Sequence, residues 1–214
     1  MDKKKLITKI IFGKENLDDV NFPVDENIKD NFEIAWDIAE NFEEIKNNMK
    51  MLVLKSLFRK LEEVYSDIVI REDSKYKGFL EFKGAKPLHI YFQDWENLYN
   101  DIPPLTYALE FYSQSLFFGI RKKSPSIPYI GKIPEDKILK EIQTFYNDKG
   151  FLSSDWWLIW RYFEEPYRYF DSKEFYKIIL DYEIEYITSY YIEEIKKLVN
   201  KTKSYLDEFF QNYR

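Results

Sequence analysis

Asp73 and the run Glu81-Phe82-Lys83 are the residues whose types and spacing could do chemistry. On a strand, residues two apart point to the same face, so Glu81 and Lys83 would share one side with Phe79. Asp73 could meet them across a hairpin. Two carboxylates would hold a magnesium or manganese ion. The ion would polarise a phosphate and lower the pKa of a bound water, with Lys83 beside the attacking oxygen. Glu62 or Glu63, at the end of the preceding helix, could add a carboxylate. A plainer reading competes. Glu-x-Lys arises easily in a chain with 32 Lys+Arg and 38 Asp+Glu. Alternate charges on an exposed strand face water, or pair across the strands with Lys75 or Lys77. The plainer reading is preferred. No catalytic residue, metal site or cofactor is assigned, and Asp73, Glu81 and Lys83 stand as the candidates of a metal-dependent hydrolytic alternative.

Other polar residues are weighed the same way. Glu110 lies in an apolar strand and shares a face with Thr106, Ala108 and Tyr112. It is either a catalytic acid with a raised pKa or a structural acid paired with Arg121, and pairing is favoured. His89 alternates with Leu88 and Ile90 on a strand and reads as a surface or packing residue. The cluster Trp156, Trp157, Trp160 and Arg161 either stacks a base or a peptide ring, with Arg161 adding cation–π attraction, or plugs the space between a sheet and the last helix. Arg71, Lys75, Lys77, Lys83, Lys86, Arg121, Lys122 and Lys123 gather around the hairpins. Converging, they would form a local basic patch for phosphates, and otherwise they guard strand edges.

Composition excludes several chemistries. With no cysteine among 214 residues, disulfides, thiolate nucleophiles and Cys-ligated metals are absent. With one histidine, a Ser–His–Asp triad would have to run through His89. The six glycines form no phosphate-cradling motif. The net charge of −6 disfavours a generally basic nucleic-acid binder. No signal peptide or membrane-length apolar run is visible, so a cytoplasmic location with no membrane partner is expected. Aromatic residues reach 19%, and most fall on periodic apolar positions, which suits rings filling a core.

The elements follow from period and punctuation. Residues 1–30 read as an arm or linker with a short strand over Leu6–Phe12. A long helix is predicted from Asp30 or Asn31 to about Tyr65, with a stripe through Phe32, Ala35, Ala39, Phe42, Ile45, Met49, Leu52, Ser56, Leu57, Leu61 and Val64. Ile68–Ile70, Phe79–Phe82 and Leu88–Phe92 read as strands. Thr106–Tyr112 and Leu116–Arg121 read as a hairpin around Ser113-Gln114-Ser115. A shorter helix is predicted over Glu135–Asn147, with Ile138, Leu139, Ile142, Phe145 and Tyr146 inward. Residues 153–163 read as a strand or irregular segment. A last helix begins near Ser172, with Asp171 and Glu174 forming a capping box and a buried stripe through Leu180, Ile184, Ile187, Tyr191, Ile195 and Leu198. Strands grouped between helices, without βα alternation, predict an α+β domain over 31–214: an antiparallel meander of about five strands packed against two long amphipathic helices and one shorter helix.

A long helix, a hairpin sheet with Leu116-Phe117-Phe118-Gly119-Ile120-Arg121, a short helix, the run Ser154-Asp155-Trp156-Trp157 … Trp160-Arg161-Tyr162-Phe163 and a terminal helix follow one another. This order resembles the C-terminal region of bacterial PD-(D/E)XK nuclease superfamily proteins, over about residues 32–203. In those proteins the catalytic Asp and Glu-x-Lys lie upstream of this region. Glu81-Phe82-Lys83 falls elsewhere, so no catalytic residue carries over. The resemblance implies an accessory, non-catalytic module, associated with nucleic-acid processing or phage defence and counter-defence.

Together these readings predict a binding module that is not an enzyme. Its expected partner is a protein, or nucleic acid through the basic patch, with binding residues Trp156, Trp157, Trp160, Arg161, Arg71, Lys75, Lys77, Arg121, Lys122 and Lys123. A metal-dependent nuclease and a phage-encoded inhibitor acting by protein–protein binding are the alternatives. Tyr182, Tyr186 and Tyr190 on the last helix offer a surface for a homodimer.

Overall fold

The computed structural model describes residues 26–72, 79, 87–99, 101–112, 115–123 and 137–212. Asp73, Lys75, Lys77, Glu81, Lys83 and Lys86 lie outside the described residues, as do the strands expected over Leu6–Phe12 and most of Phe79–Phe82. The chain divides into two compact units, residues 1–49 and 50–214, with the division inside the first described helix. In order, the described elements are α1 (Glu26–Val64), β1 (Ile68–Glu72), β2 (Pro87–Phe92), α2 (Gln93–Tyr99), β3 (Leu105–Tyr112), β4 (Ser115–Lys122), α3 (Lys137–Asn147), β5 (Trp157–Tyr162) and α4 (Lys173–Asn212).

The sheet is the α+β meander the sequence predicts: five antiparallel strands in the order β1-β2-β3-β4-β5. Residues 113–114 alone join β3 to β4, a connection short enough to force these two strands to be antiparallel neighbours. Ile68 pairs with Phe92, His89 with Ala108, Thr106 with Arg121 and Gly119 with Trp160. Between β4 and β5 the register shifts after Ile120, so that Arg121 meets Trp157. β2 is buried along its whole length, and β3 and β4 nearly so. The two faces differ in chemistry. One carries Tyr107, Leu109, Phe111, Phe118, Ile120 and Ile159, all buried. The other carries His89, Thr106, Ala108, Glu110, Phe117 and Arg121, a face half polar.

The apolar face packs on α4. The Tyr107 and Thr202 hydroxyls share a 3.0 Å hydrogen bond. Burial pushes the Tyr107 hydroxyl far above its ordinary pKa. The Phe163 ring lies 4.4 Å from Phe118 and 4.7 Å from Tyr191. Trp95 of α2 donates to Asp207 at 2.7 Å and packs 4.8 Å from Phe210, fixing the end of α4. The seven-residue α2 has one buried residue, Trp95, and is too short to display a period; the sequence reading missed it.

Helix α1 contains no glycine or proline, so nothing in its backbone interrupts it. Its segment from Lys50 to Val64 lies beside α4: Ser56 donates to Thr188 at 3.4 Å, Lys60 to Ser189 at 3.1 Å and, from the following turn, Tyr65 to Asn200 at 3.0 Å. The buried residues are Lys50, Val53, Leu54, Leu57 and Leu61. Leu52 and Val64, placed on the predicted stripe, are exposed. Period locates an apolar stripe, but the neighbour decides which flank is covered. The same holds in α4. Leu180 is 75% exposed and Ile179 is buried, while Ile187, Tyr191, Ile195 and Leu198 are buried as predicted.

The cap of α4 is one residue later than the predicted box. Ser172 Oγ accepts from the Phe175 amide at 3.0 Å. Asp171 instead accepts from the Tyr176 hydroxyl at 2.6 Å and lies 4.0 Å from Lys50 Nζ. Replacing Ser172 by alanine should therefore cost about 1 kcal/mol in a urea titration, with an unchanged denaturant slope. Asp171→Ala should leave the cap intact.

Candidate functional site: a cleft of rings and cations

Helix α3 buries Leu139, Ile142 and Tyr146 and turns Lys137, Lys140 and Glu141 away from the core. It ends in a Schellman motif. The Phe151 amide donates to Tyr146 O at 3.1 Å and the Gly150 amide to Asn147 O at 3.1 Å, with Gly150 at a φ of 78°. That left-handed position favours glycine, and the accompanying apolar contact is the Phe151 ring 4.8 Å from Tyr146. The motif sets Lys149 and Phe151 at the mouth of a cleft.

On α4, Glu194, Lys197, Leu198 and Lys201 recur at steps of three and four and so share one face. On β5, Arg161 points to this same side, its neighbour across the ladder being Phe118. These residues enclose a cleft of about 490 Å³. Among the described residues, Lys149, Arg161, Lys197 and Lys201 supply its cations, Glu194 a carboxylate, and Phe118, Phe145, Tyr146 and Phe151 its rings. Beyond Phe145 a second hollow is lined by Lys137, Lys140, Glu141 and Tyr205.

Glu194 organises the floor. It accepts from the Arg161 guanidinium, and its other oxygen accepts from Lys197 at 2.6 Å. The hydrogen bond to Glu194 raises the Lys197 ammonium above its ordinary pKa. Arg161 lies 5.0 Å above the Phe151 ring and 5.5 Å from Phe118. Its Nε is buried and has no hydrogen-bond partner among the described residues. Burial pushes the Tyr146 hydroxyl up to about 12, against the opposing pull of Arg161. The Phe145 ring, 38% exposed, has Lys149 Nζ at 4.3 Å and Lys201 Nζ at 5.1 Å. Among the described residues neither lysine makes an ion pair.

Of the sequence-predicted binding residues, Lys75 and Lys77 lie outside the described residues, and the described ones divide between the two faces of the sheet and its margins. Trp160 and Arg161 are consecutive on β5 and point to opposite faces. Trp157 and Trp160 pack on Phe117, at 5.3 and 5.2 Å, on the half-polar face and not against the last helix. The cation over the tryptophans is Arg121, 4.9 Å from Trp156 and 5.7 Å from Trp157. Arg121 donates to Glu110 at 3.1 Å, the pairing expected for that acid. His89 is buried, 2.7 Å from Thr106 Oγ1. Arg71 reaches Glu96 at 3.3 Å, Lys122 donates to Ser154 O at 3.0 Å, and Lys123 meets Asp101 at 2.7 Å. Burial lowers the Lys122 ammonium, and the Lys123 hydrogen bond lowers the Asp101 carboxyl.

Of the described residues among those predicted, only Arg161 lies in the cleft. The sequence reading missed Lys149, Glu194, Lys197 and Lys201, and placed Phe145 inward. The spacing of 194, 197, 198 and 201 was the available signal. Among the described residues no three His, Asp or Glu side chains come together as a metal site, and none of the described helices is long and apolar enough to cross a membrane. No family model, curated protein or solved structure matches the chain.

Proposed function

We infer that this chain is a non-catalytic binding module whose cleft holds single-stranded nucleic acid. The observation that carries this reading is the exposed Phe145 ring with the Lys149 and Lys201 ammonium groups beside it, a face of the ring opening to a base once these flexible side chains reach out to phosphates. An exposed ring stacks a base of any identity, and the flanking ammonium groups meet the phosphates before and after it. The Lys197 ammonium, 69% exposed, adds a third cation to the cleft beside Lys149 and Lys201. The hollow beyond Phe145, with Lys137 and Lys140, continues the basic track. This arrangement lets an acidic protein concentrate its cations where a polyanion would lie. An accessory role beside a nucleic-acid-processing partner, as the resemblance implies, is consistent with it.

Fluorescence anisotropy with a labelled oligonucleotide of mixed sequence tests the reading. Phe145→Ala should weaken binding about tenfold to a hundredfold, the worth of one stacked base. Lys149→Gln combined with Lys201→Gln should make the slope of log K against log salt shallower by about 1.4, since each single-strand phosphate contact contributes about 0.7. Binding by the wild-type chain that neither change affects, or no binding at low salt, would sink the proposal.

A further inference from the structure

Within residues 26–49, helix α1 carries large apolar side chains that remain open to solvent: Ile38 is 51% exposed, Phe42 51% and Ile45 42%. Ala35, Ile38, Phe42, Ile45 and Met49 follow one another at steps of three, four, three and four. That is the spacing of a coiled-coil seam, with Ala35, Phe42 and Met49 at a and Ile38 and Ile45 at d. A lone surface helix has no need of a 3.5-residue repeat. The pattern keeps these a and d residues facing a partner helix, and the exposed Ile34 at g widens the apolar seam, while Trp36 at b is exposed outside it.

The charges identify the partner. This stretch holds seven carboxylates and two lysines, so two copies side by side would repel if the acids flanked the seam. They do not. Asp30, Asp37 and Glu44 occupy c, Glu26, Glu33 and Glu40 occupy f, and Glu43 occupies b. The e and g positions bordering the seam between Ile34 and Asn48 are Ile34, Ala39, Asn41, Lys46 and Asn48, without one carboxylate. Lys46 is already paired with Glu43 of its own helix at 2.7 Å. A strongly basic partner would be met by acids at e and g. Here every acid is turned to the outer face, which removes like-charge repulsion between identical helices. We propose that residues 35–49 of α1 form a two-heptad coiled-coil seam that pairs with the same seam of a second copy of this chain. The proposal is independent of the cleft reading.

Sedimentation of the full chain across a concentration series tests it. The wild type should approach twice its 26.2 kDa mass. Phe42→Glu with Ile45→Glu should raise the dimer dissociation constant at least about a hundredfold, because two apolar contacts per copy are replaced by buried like charges. Phe42→Lys with Ile45→Lys should do the same. Mixing the Glu and Lys proteins should restore a 1:1 dimer, which a misfolded variant could not do. A wild type that stays monomeric at the highest concentration overturns the proposal. So does a dimer that survives both variants, or one lost only on changing Tyr182 and Tyr186.

Discussion

Replacing Gly119 by alanine is expected to destabilise the protein by about 3 kcal/mol or more, and so to lower its melting temperature by roughly 6–12 °C. Gly119 sits in the middle of β4, opposite Trp160 of β5. A Cβ added there would lie 2.0 Å from Ile159 O, 2.7 Å from Trp160 Cα and 2.9 Å from Ile159 C. All three are backbone atoms, so no rotamer change can make room. Either β5 moves away from β4, losing ladder hydrogen bonds, or the strand buckles between Phe118 and Ile120, both of which are core residues. Gly150→Ala should cost less, about 1 kcal/mol, because nothing lies within 4 Å of a Cβ there and only the left-handed φ is strained. Differential scanning calorimetry separates the two. A Gly119→Ala protein within about 1 kcal/mol of wild type would show that β4 and β5 are not so close.

What the residues reveal before folding depends on whether the signal is local. The pairing of β3 with β4 was legible because Ser113-Gln114-Ser115 leaves too little chain for anything but neighbouring antiparallel strands, whereas β1 and β2 pair across the longer stretch of residues 73–86. The long helices were legible from their period. The side of each helix that is buried was not, because it depends on a neighbour far away in sequence: Leu52 and Val53 are equally apolar, and the approach of Thr188 and Ser189 to Ser56 and Lys60 decides between them. The predicted capping box at Asp171 failed for a related reason. Asp171 is a good cap by type, but it is engaged with Tyr176 and close to Lys50.

The cleft shows the same limit more sharply. The tryptophan run drew attention because its residues are adjacent in sequence, yet adjacency on a strand separates side chains onto opposite faces. Lys149, Arg161 and Lys201 come from a helix end, a strand and a different helix, and only the fold brings them together. Each is unremarkable in a chain with 32 Lys+Arg. What could be read locally was narrower: Gly150 as the stop of α3, and the three-and-four spacing of Glu194, Lys197, Leu198 and Lys201. The seam in α1 is the opposite case. Its apolar spacing and its sorted carboxylates are both visible in the sequence, and the structure adds that Ile38, Phe42 and Ile45 remain exposed.

Glu110→Ala is expected to cost about 3–5 kcal/mol at neutral pH, and the reason is Arg121 rather than the glutamate. The two side chains are 10% and 11% exposed and lie 3.1 Å apart. Removing the carboxylate leaves a guanidinium in the sheet without its counter-ion, although the Lys122 carbonyl at 2.9 Å and the Trp156 ring remain. Yet the pair itself need not favour folding. Burial pushes the Glu110 carboxyl above its ordinary value of 4.5, and Arg121 offsets only part of that. The folded state therefore holds this proton more tightly than the unfolded chain. Between the unfolded and folded pKa values the native protein binds more protons, so the contribution of Glu110 to stability falls as pH rises through that window. Glu110→Gln removes this titration while keeping the side chain's size. Measured by urea unfolding between pH 4 and 7, the stability of wild type minus that of Glu110→Gln should decline as pH rises, whereas a carboxyl held low by its arginine would make it increase. Glu110→Leu combined with Arg121→Met should recover most of the loss seen in Glu110→Ala, because it removes both charges and not one. If the double change costs as much as the single one, the pair holds the sheet together by more than charge balance.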